Sequence, residues 1–104
     1  MAGFGMLGKL VTYPGRREEL VEVLLDAAKQ LGGVDGCKLY VVSRDADDAD
    51  ALWVVEAWRD EAAHRASLEL PEVRAAIERG RPLIARFDAG AKLAPVGGLG
   101  LDCA

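Results

Sequence analysis

The sequence predicts one α+β domain over residues 1–104, with the ferredoxin-like order strand, helix, strand, strand, helix pair, strand. Two observations predict it. Segments with apolar residues at every second position alternate along the chain with segments of helical patterning. The second and third strands are also joined by a loop too short to hold a helix, so they pair antiparallel. We therefore expect a four-stranded antiparallel sheet with helices on one face only.

Phe4–Tyr13 is the first predicted strand, because its large apolar side chains alternate between two faces. Gly5 and Gly8 interrupt this pattern. Glycine weakens a strand unless something approaches the backbone closely, so these residues indicate either a tight contact within the sheet or the floor of a ligand site. The sequence leaves both possibilities open.

An amphipathic helix follows at Arg16–Leu31 and ends at Gly32-Gly33. Asp35-Gly36 then introduces the second strand, Cys37–Arg44. The next six residues, Asp45–Asp50, include four aspartates and predict an exposed loop.

In the third strand, Ala51–Asp60, both faces are apolar from Leu52 to Trp58 apart from Glu56, so we expect it to be buried from two sides. Asp60 supplies an N-cap oxygen for the helix that follows. Pro71 breaks that helix and begins another, which carries Val73, Ala76 and Ile77 inward until Gly80.

The end of the chain predicts a turn at Asp88–Gly90 and a last strand at Lys92–Val96. Pro95 would confine that strand to a sheet edge. The glycine-rich segment Gly97–Ala104 predicts a flexible tail, or one that contacts a partner subunit. Helices cover only one face of an apolar sheet, so the other face must be buried by something else. We expect a second copy of the chain to cover it, which gives a homodimer.

Composition excludes several classes of function. The net charge is −4, and nucleic-acid binding requires clustered cations, so we expect no nucleic-acid partner. No apolar run is long enough to span a membrane, and the N-terminus lacks a secretory leader, so we predict a cytoplasmic protein. Cys37 and Cys103 have no metal-ligand or redox spacing, so we expect two unpaired thiols and no metal.

One stretch resembles the antibiotic biosynthesis monooxygenase superfamily, whose members are small dimeric α/β-barrel proteins with this order of elements. The resemblance lies in Glu56-Ala-Trp58-Arg-Asp60, Ala62-Ala-His64-Arg-Ala-Ser67-Leu68 and Leu70-Pro-Glu-Val73-Arg74. It implies oxygenation of a quinol or polycyclic phenol by molecular oxygen, without metal, flavin or other cofactor, in a pocket between helices and sheet. Haem-degrading relatives depend on an asparagine of the first strand. This sequence contains no asparagine, so we do not expect haem degradation.

His64 is the candidate catalytic base, because an imidazole can deprotonate a phenol near neutral pH. The alternative is a histidine hydrogen-bonded at the rim of the core. Glu56 must be paired, protonated or facing a cavity. We favour a structural ion pair with Arg59, Arg79 or an arginine of a partner subunit.

The remaining candidates would contact a small aromatic or quinoid ligand. Trp53 and Trp58 are five residues apart in one strand, so they point to opposite faces and only one can line the pocket. Tyr40 offers a hydroxyl to a ligand oxygen, although a half-buried tyrosine with its tip in water is the simpler interpretation. Ser67 shares a helical face with His64, but three-residue spacing gives no triad geometry, which excludes hydrolase chemistry.

The resemblance, with His64 as the candidate base, implies a cofactor-independent monooxygenase. Two alternatives stay open. One is a non-catalytic dimeric barrel that binds a small hydrophobic molecule. The other is an isomerase or cyclase that uses His64 and a carboxylate to move a proton.

Overall fold

The computed structural model describes residues 3–100. Four strands and three helices follow in the predicted order. They are β1 (Phe4–Thr12), α1 (Arg17–Leu31), β2 (Cys37–Arg44), β3 (Ala51–Trp58), α2 (Glu61–Ser67), α3 (Pro71–Gly80) and β4 (Ile84–Leu93), with a short 3₁₀ helix at Arg81–Leu83.

The strands form one sheet in the order β2-β3-β1-β4, and every neighbouring pair is antiparallel. The ferredoxin-like fold is confirmed. Helix α1 packs against α3 and across strands β1, β2 and β3. Among the four strands, only the two central ones, β1 and β3, contain buried residues.

The helix pair begins where the sequence predicted. Asp60 has an extended backbone, and its Oδ1 accepts a hydrogen bond of 2.8 Å from the backbone N–H of Ala63. This bond satisfies one of the donors that a helix N-terminus leaves free. Pro71 occupies the first turn of α3, where its missing N–H costs nothing. Both local signals are confirmed.

Two groups of buried side chains form the core between helices and sheet. One surrounds Trp58, which is 2% exposed, and the other surrounds Leu52, which is fully buried. Val73 and Ala76 are buried as predicted, but Ile77 is 40% exposed. Ile77 lies one step further around α3 and faces a cavity instead of the core.

The prediction for the last strand was wrong. Strand β4 covers Ile84–Leu93, so the predicted turn at Asp88–Gly90 lies within it and Pro95 follows it. Two irregularities in its pairing with β1 leave Ala85 and Asp88 without a direct partner. These bulges interrupt the period-two pattern, and the glycine and aspartate resembled a turn. Long-range pairing with β1 forms this strand despite its local composition.

Within residues 3–100, no helix is both long and apolar enough to cross a membrane. The cytoplasmic location stays a prediction. Gly97–Gly100 have no helix or strand structure, and the rest of the predicted tail lies outside the described residues. Cys37 forms no disulfide within the described part of the chain, whereas Cys103 falls beyond it.

Candidate functional site

A cavity of about 920 Å³ opens between the α2–α3 pair, α1 and the sheet. Most of the residues that line it are apolar. Its larger apolar side chains include Met6, Leu24, Val54, Trp58 and Ile77. The polar residues Tyr40, Glu56, His64 and Ser67 line its interior, and the exposed charged residues Arg81, Arg86, Asp88 and Lys92 also border it. Apolar walls with a few converging polar groups are typical of sites for small organic molecules.

His64 lies against the inner wall of the cavity. Its side chain is only 14% exposed. The imidazole packs near the rings of Phe4 and Trp58, with centroids 5.3 and 5.5 Å away. Helix α2 directs the side chain inward, because His64, Ser67 and Leu68 share the cavity-facing side of that helix. The imidazole is thus enclosed by aromatic surface, instead of pointing into bulk water.

Glu56 joins this group from the sheet. Its Oε1 accepts a hydrogen bond of 3.1 Å from the indole Nε1 of Trp58 and lies 3.8 Å from Nε2 of His64. The expected arginine partners are elsewhere. Arg59, which precedes α2, pairs with Asp35 and Asp60, and Arg79 of α3 pairs with Asp26; neither arginine lines the cavity. The carboxylate therefore faces the cavity with an imidazole beside it.

Tyr40 and Cys37 border the same carboxylate from strand β2. Burial, and then the negative charge of Glu56, raises the pKa of the Tyr40 hydroxyl. The same two causes raise the pKa of the Cys37 thiol. Both groups consequently stay protonated at neutral pH. Tyr40 can donate a hydrogen bond to a ligand oxygen, but it cannot serve as a base there.

Ser67 is buried, and its hydroxyl group donates its hydrogen bond within α2. Its Oγ donates a hydrogen bond of 2.6 Å to the backbone oxygen of His64, one turn earlier in α2. This bond leaves the hydroxyl oxygen available only as an acceptor toward the cavity.

Trp53 lies apart from the other candidates. It occupies the opposite face of the sheet, as the five-residue spacing from Trp58 predicted, and it does not line the cavity. Its indole Nε1 donates a hydrogen bond of 2.8 Å to Asp45, and Lys9 Nζ lies 5.8 Å from its ring centroid. That hydrogen bond is the main reason why the pKa of Asp45 is lowered. The first residue of the predicted exposed loop is therefore half-buried beneath the sheet.

The sequence model of the antibiotic biosynthesis monooxygenase family matches residues 4–79 of the chain. This match includes β1, the strand and helix that carry Glu56 and His64, and nearly all of α3. The chain belongs to the antibiotic biosynthesis monooxygenase family.

Solved structures agree with this assignment. A candidate antibiotic biosynthesis monooxygenase from Chloroflexus aurantiacus is 42% identical, with a TM-score of 0.90 over 96% of this chain and 99% of that one. A candidate member from Caulobacter crescentus is 22% identical, with a TM-score of 0.84 over 92% of each chain, and shows the fold alone.

A curated relative extends the comparison to a longer protein. A candidate heme-binding protein of Natronomonas pharaonis is 29% identical over 85 residues. The match covers 81% of this chain but only 14% of that protein. The shared part is therefore a small segment of the relative.

Two features at the site of this family member were not identified from the sequence. Phe4 contacts the His64 ring from behind the cavity lining, and its alternation with Met6 on β1 was the signal that could have found it. The second feature is the wall formed by β4, including Phe87 and Gly90. The sequence did not predict that wall, because the bulges of β4 interrupt the alternation by which a strand is recognised.

Proposed function

We propose that this protein is a cofactor-independent monooxygenase that oxidises a quinol or polycyclic phenol with molecular oxygen. The supporting observation is the approach of His64 to Glu56 at the inner wall of an apolar cavity, 3.8 Å from Nε2 to Oε1. A base held beside a carboxylate and enclosed by aromatic rings suits deprotonation of a phenolic ring.

In the proposed reaction, His64 accepts the phenolic proton of the substrate. The adjacent carboxylate of Glu56 stabilises the imidazolium that results. The phenolate is a stronger reductant than the phenol, so it can pass an electron to oxygen. Oxygen forms a bond to a ring carbon and its O–O bond then breaks, so that one oxygen atom stays on that carbon and the other leaves as water. The substrate is the only reductant and gives two hydrogens to that water, so a naphthoquinol and O₂ yield a hydroxynaphthoquinone and H₂O. The apolar walls position the ring against the base and exclude bulk water.

The test compares two substitutions in α2. His64→Ala removes the base, and Arg65→Ala changes the neighbouring exposed side chain as a matched control. We expect oxygen consumption with a reduced naphthoquinol to fall at least about tenfold in His64→Ala and to persist in Arg65→Ala. Circular dichroism checks that both variants fold. A His64→Ala variant with wild-type turnover would remove His64 from the mechanism.

A second candidate function is non-catalytic binding of a small planar hydrophobic molecule. The observation that favours it is the relative that is named as a candidate heme-binding protein, together with the largely apolar cavity. Titration with haem and with quinones under air and under nitrogen separates the functions. Binding without turnover supports this candidate. Turnover under nitrogen supports an isomerase or cyclase in which Glu56 and His64 move a proton.

We also propose that the protein forms a homodimer through the face of the sheet that lacks helices. Apolar side chains on this face are partly exposed in the single chain, and Val41 is 42% exposed. Val41 pairs with Val55, which in turn pairs with Leu7, so these three side chains form a row across the sheet. Burying such a row against a second copy would remove apolar surface from water.

Sedimentation velocity at micromolar concentration tests the dimer. Val41→Asp places a charge on the proposed interface, and Leu25→Asp places one on the helical layer at a similarly exposed position, 46%. We expect Val41→Asp to be monomeric and Leu25→Asp to behave as the wild type. A wild-type protein that sediments as a monomer would contradict the proposal.

A further inference from the structure

The two glycines of β1 have different surroundings. A Cβ at Gly5 would lie 3.2 Å from the backbone oxygen of Glu56 and 3.2 Å from Cβ of Leu93. A Cβ at Gly8 would meet no heavy atom within 4 Å. Gly5 thus serves close packing of the strands, while Gly8 faces open space.

Neither backbone conformation nor crowding requires glycine at position 8. Its φ angle is not among the positive ones, so an L-residue could adopt the same conformation. Glycine in the interior of a strand also weakens that strand relative to a residue with a side chain. The missing side chain therefore leaves space without any benefit to the fold itself.

That space is part of the cavity. Gly8 lies on the cavity-facing side of β1 between Met6 and Leu10, and its direct partners are Val54 on β3 and Gly90 on β4. All five residues line the cavity. Two glycines side by side on adjacent strands make a recess in its floor, where a ligand can reach the peptide backbone.

The recess lies close to the candidate base. Met6 lies two residues before Gly8 on β1, about 7 Å along the strand, and it pairs with Glu56 on β3. A flat molecule that rests on Gly8 and extends along the strand would have its edge near Glu56 and His64.

We propose that Gly8 is a specificity-determining residue that lets planar ligands of three or more fused rings lie flat on the floor of the cavity. The inference rests on the proposed function only in taking this cavity as the ligand site, and it requires no oxygen chemistry. A side chain at position 8 would fill the recess and lift a large flat ring away from the sheet, whereas a smaller ring could still bind beside it.

Equilibrium binding tests this with two oxidised probes that carry no phenolic hydroxyl and cannot turn over, 1,4-naphthoquinone with two rings and 9,10-anthraquinone with three. Quenching of tryptophan fluorescence reports binding, because Trp58 lines the cavity. The variants are Gly8→Ala and Gly8→Val. Gly33→Ala is the matched control, because Gly33 is exposed and a Cβ there would also meet nothing within 4 Å.

We expect Gly8→Val to raise the Kd of the three-ring probe at least tenfold and that of the two-ring probe less than threefold. Gly8→Ala should give a smaller change in the same direction, and Gly33→Ala no change. Melting temperatures of both Gly8 variants should equal or exceed that of the wild type.

Equal changes for the two probes, or unchanged affinity for the three-ring probe in Gly8→Val, would overturn the proposal. A large fall in the melting temperature of Gly8→Ala would also overturn it, because glycine would then be needed by the fold. If Gly8→Val loses affinity only for the three-ring probe and the wild type consumes no oxygen with a quinol, this inference holds and the proposed reaction is wrong. Failure of the wild type to bind either probe would defeat both.

Discussion

Removing the negative charge of Glu56 while keeping its shape gives the sharpest test of the proposed site. Glu56→Gln retains an oxygen that can accept the hydrogen bond from Trp58, now 3.1 Å long. It removes the charge that lies 3.8 Å from Nε2 of His64. Any loss of activity can then be assigned to electrostatics more securely than after truncation of the side chain.

The expected size of the effect follows from that distance. Two unit charges about 4 Å apart interact by about 1 kcal/mol in water and about 4 kcal/mol at an effective dielectric constant of about 20. The side chains of His64 and Glu56 are 14% and 18% exposed, so an intermediate value applies. An interaction of about 2 kcal/mol corresponds to roughly a thirtyfold change in rate. We therefore expect kcat for quinol oxidation to fall roughly tenfold to hundredfold in Glu56→Gln.

The assay is oxygen consumption at saturating naphthoquinol, with the Kd of the oxidised quinone measured separately. The quinone has no phenolic proton to transfer, so its Kd should change less than about threefold. Glu69→Gln removes an equal charge from an exposed turn and is the control. Turnover by Glu56→Gln at the wild-type rate, or equal losses in the two variants, would refute the role of Glu56 beside His64.

Two further predictions concern the segments that hold α2 in place. Asp60→Ala should lower the melting temperature by about 4–8 °C, whereas Asp60→Asn, which keeps a cap acceptor, should lower it less. The Ala63 N–H, followed by Arg59, lowers the pKa of Asp60. The cap therefore stabilises the fold fully above the ordinary pKa range of a carboxyl group, and this stabilisation is lost as pH falls through the lowered pKa of Asp60. The difference in melting temperature between Asp60→Ala and the wild type should consequently become smaller in acid. A gap that stays constant in acid would contradict this assignment. Gly36→Ala should destabilise the protein by about 1–3 kcal/mol in urea unfolding, because φ is 87° and the new Cβ would lie 2.6 Å from that of Ala63. Gly33→Ala is its control, and equal stability of these two glycine variants would show the argument to be wrong.

Local signals in the sequence were sufficient for most of the fold. Asp60 and Pro71 mark helix starts through interactions within a few residues, so each could be identified from the sequence. The alternation in β3 likewise placed Trp53 and Trp58 on opposite faces, since a strand turns its side chains over at every residue.

Long-range contacts decided the rest. Strand β4 exists because β1 pairs with it, and its bulges remove the pattern that a sequence would show. The sequence also left the neighbour of the Glu56 carboxylate open, because several arginines could have reached it. His64 lies beside it because α2 packs against the sheet at that point. Long-range packing also determines that Gly5 is crowded by neighbouring strands while Gly8 faces open space. Local composition sets which conformation a segment prefers, but the neighbours of a side chain are fixed only when distant segments pack together.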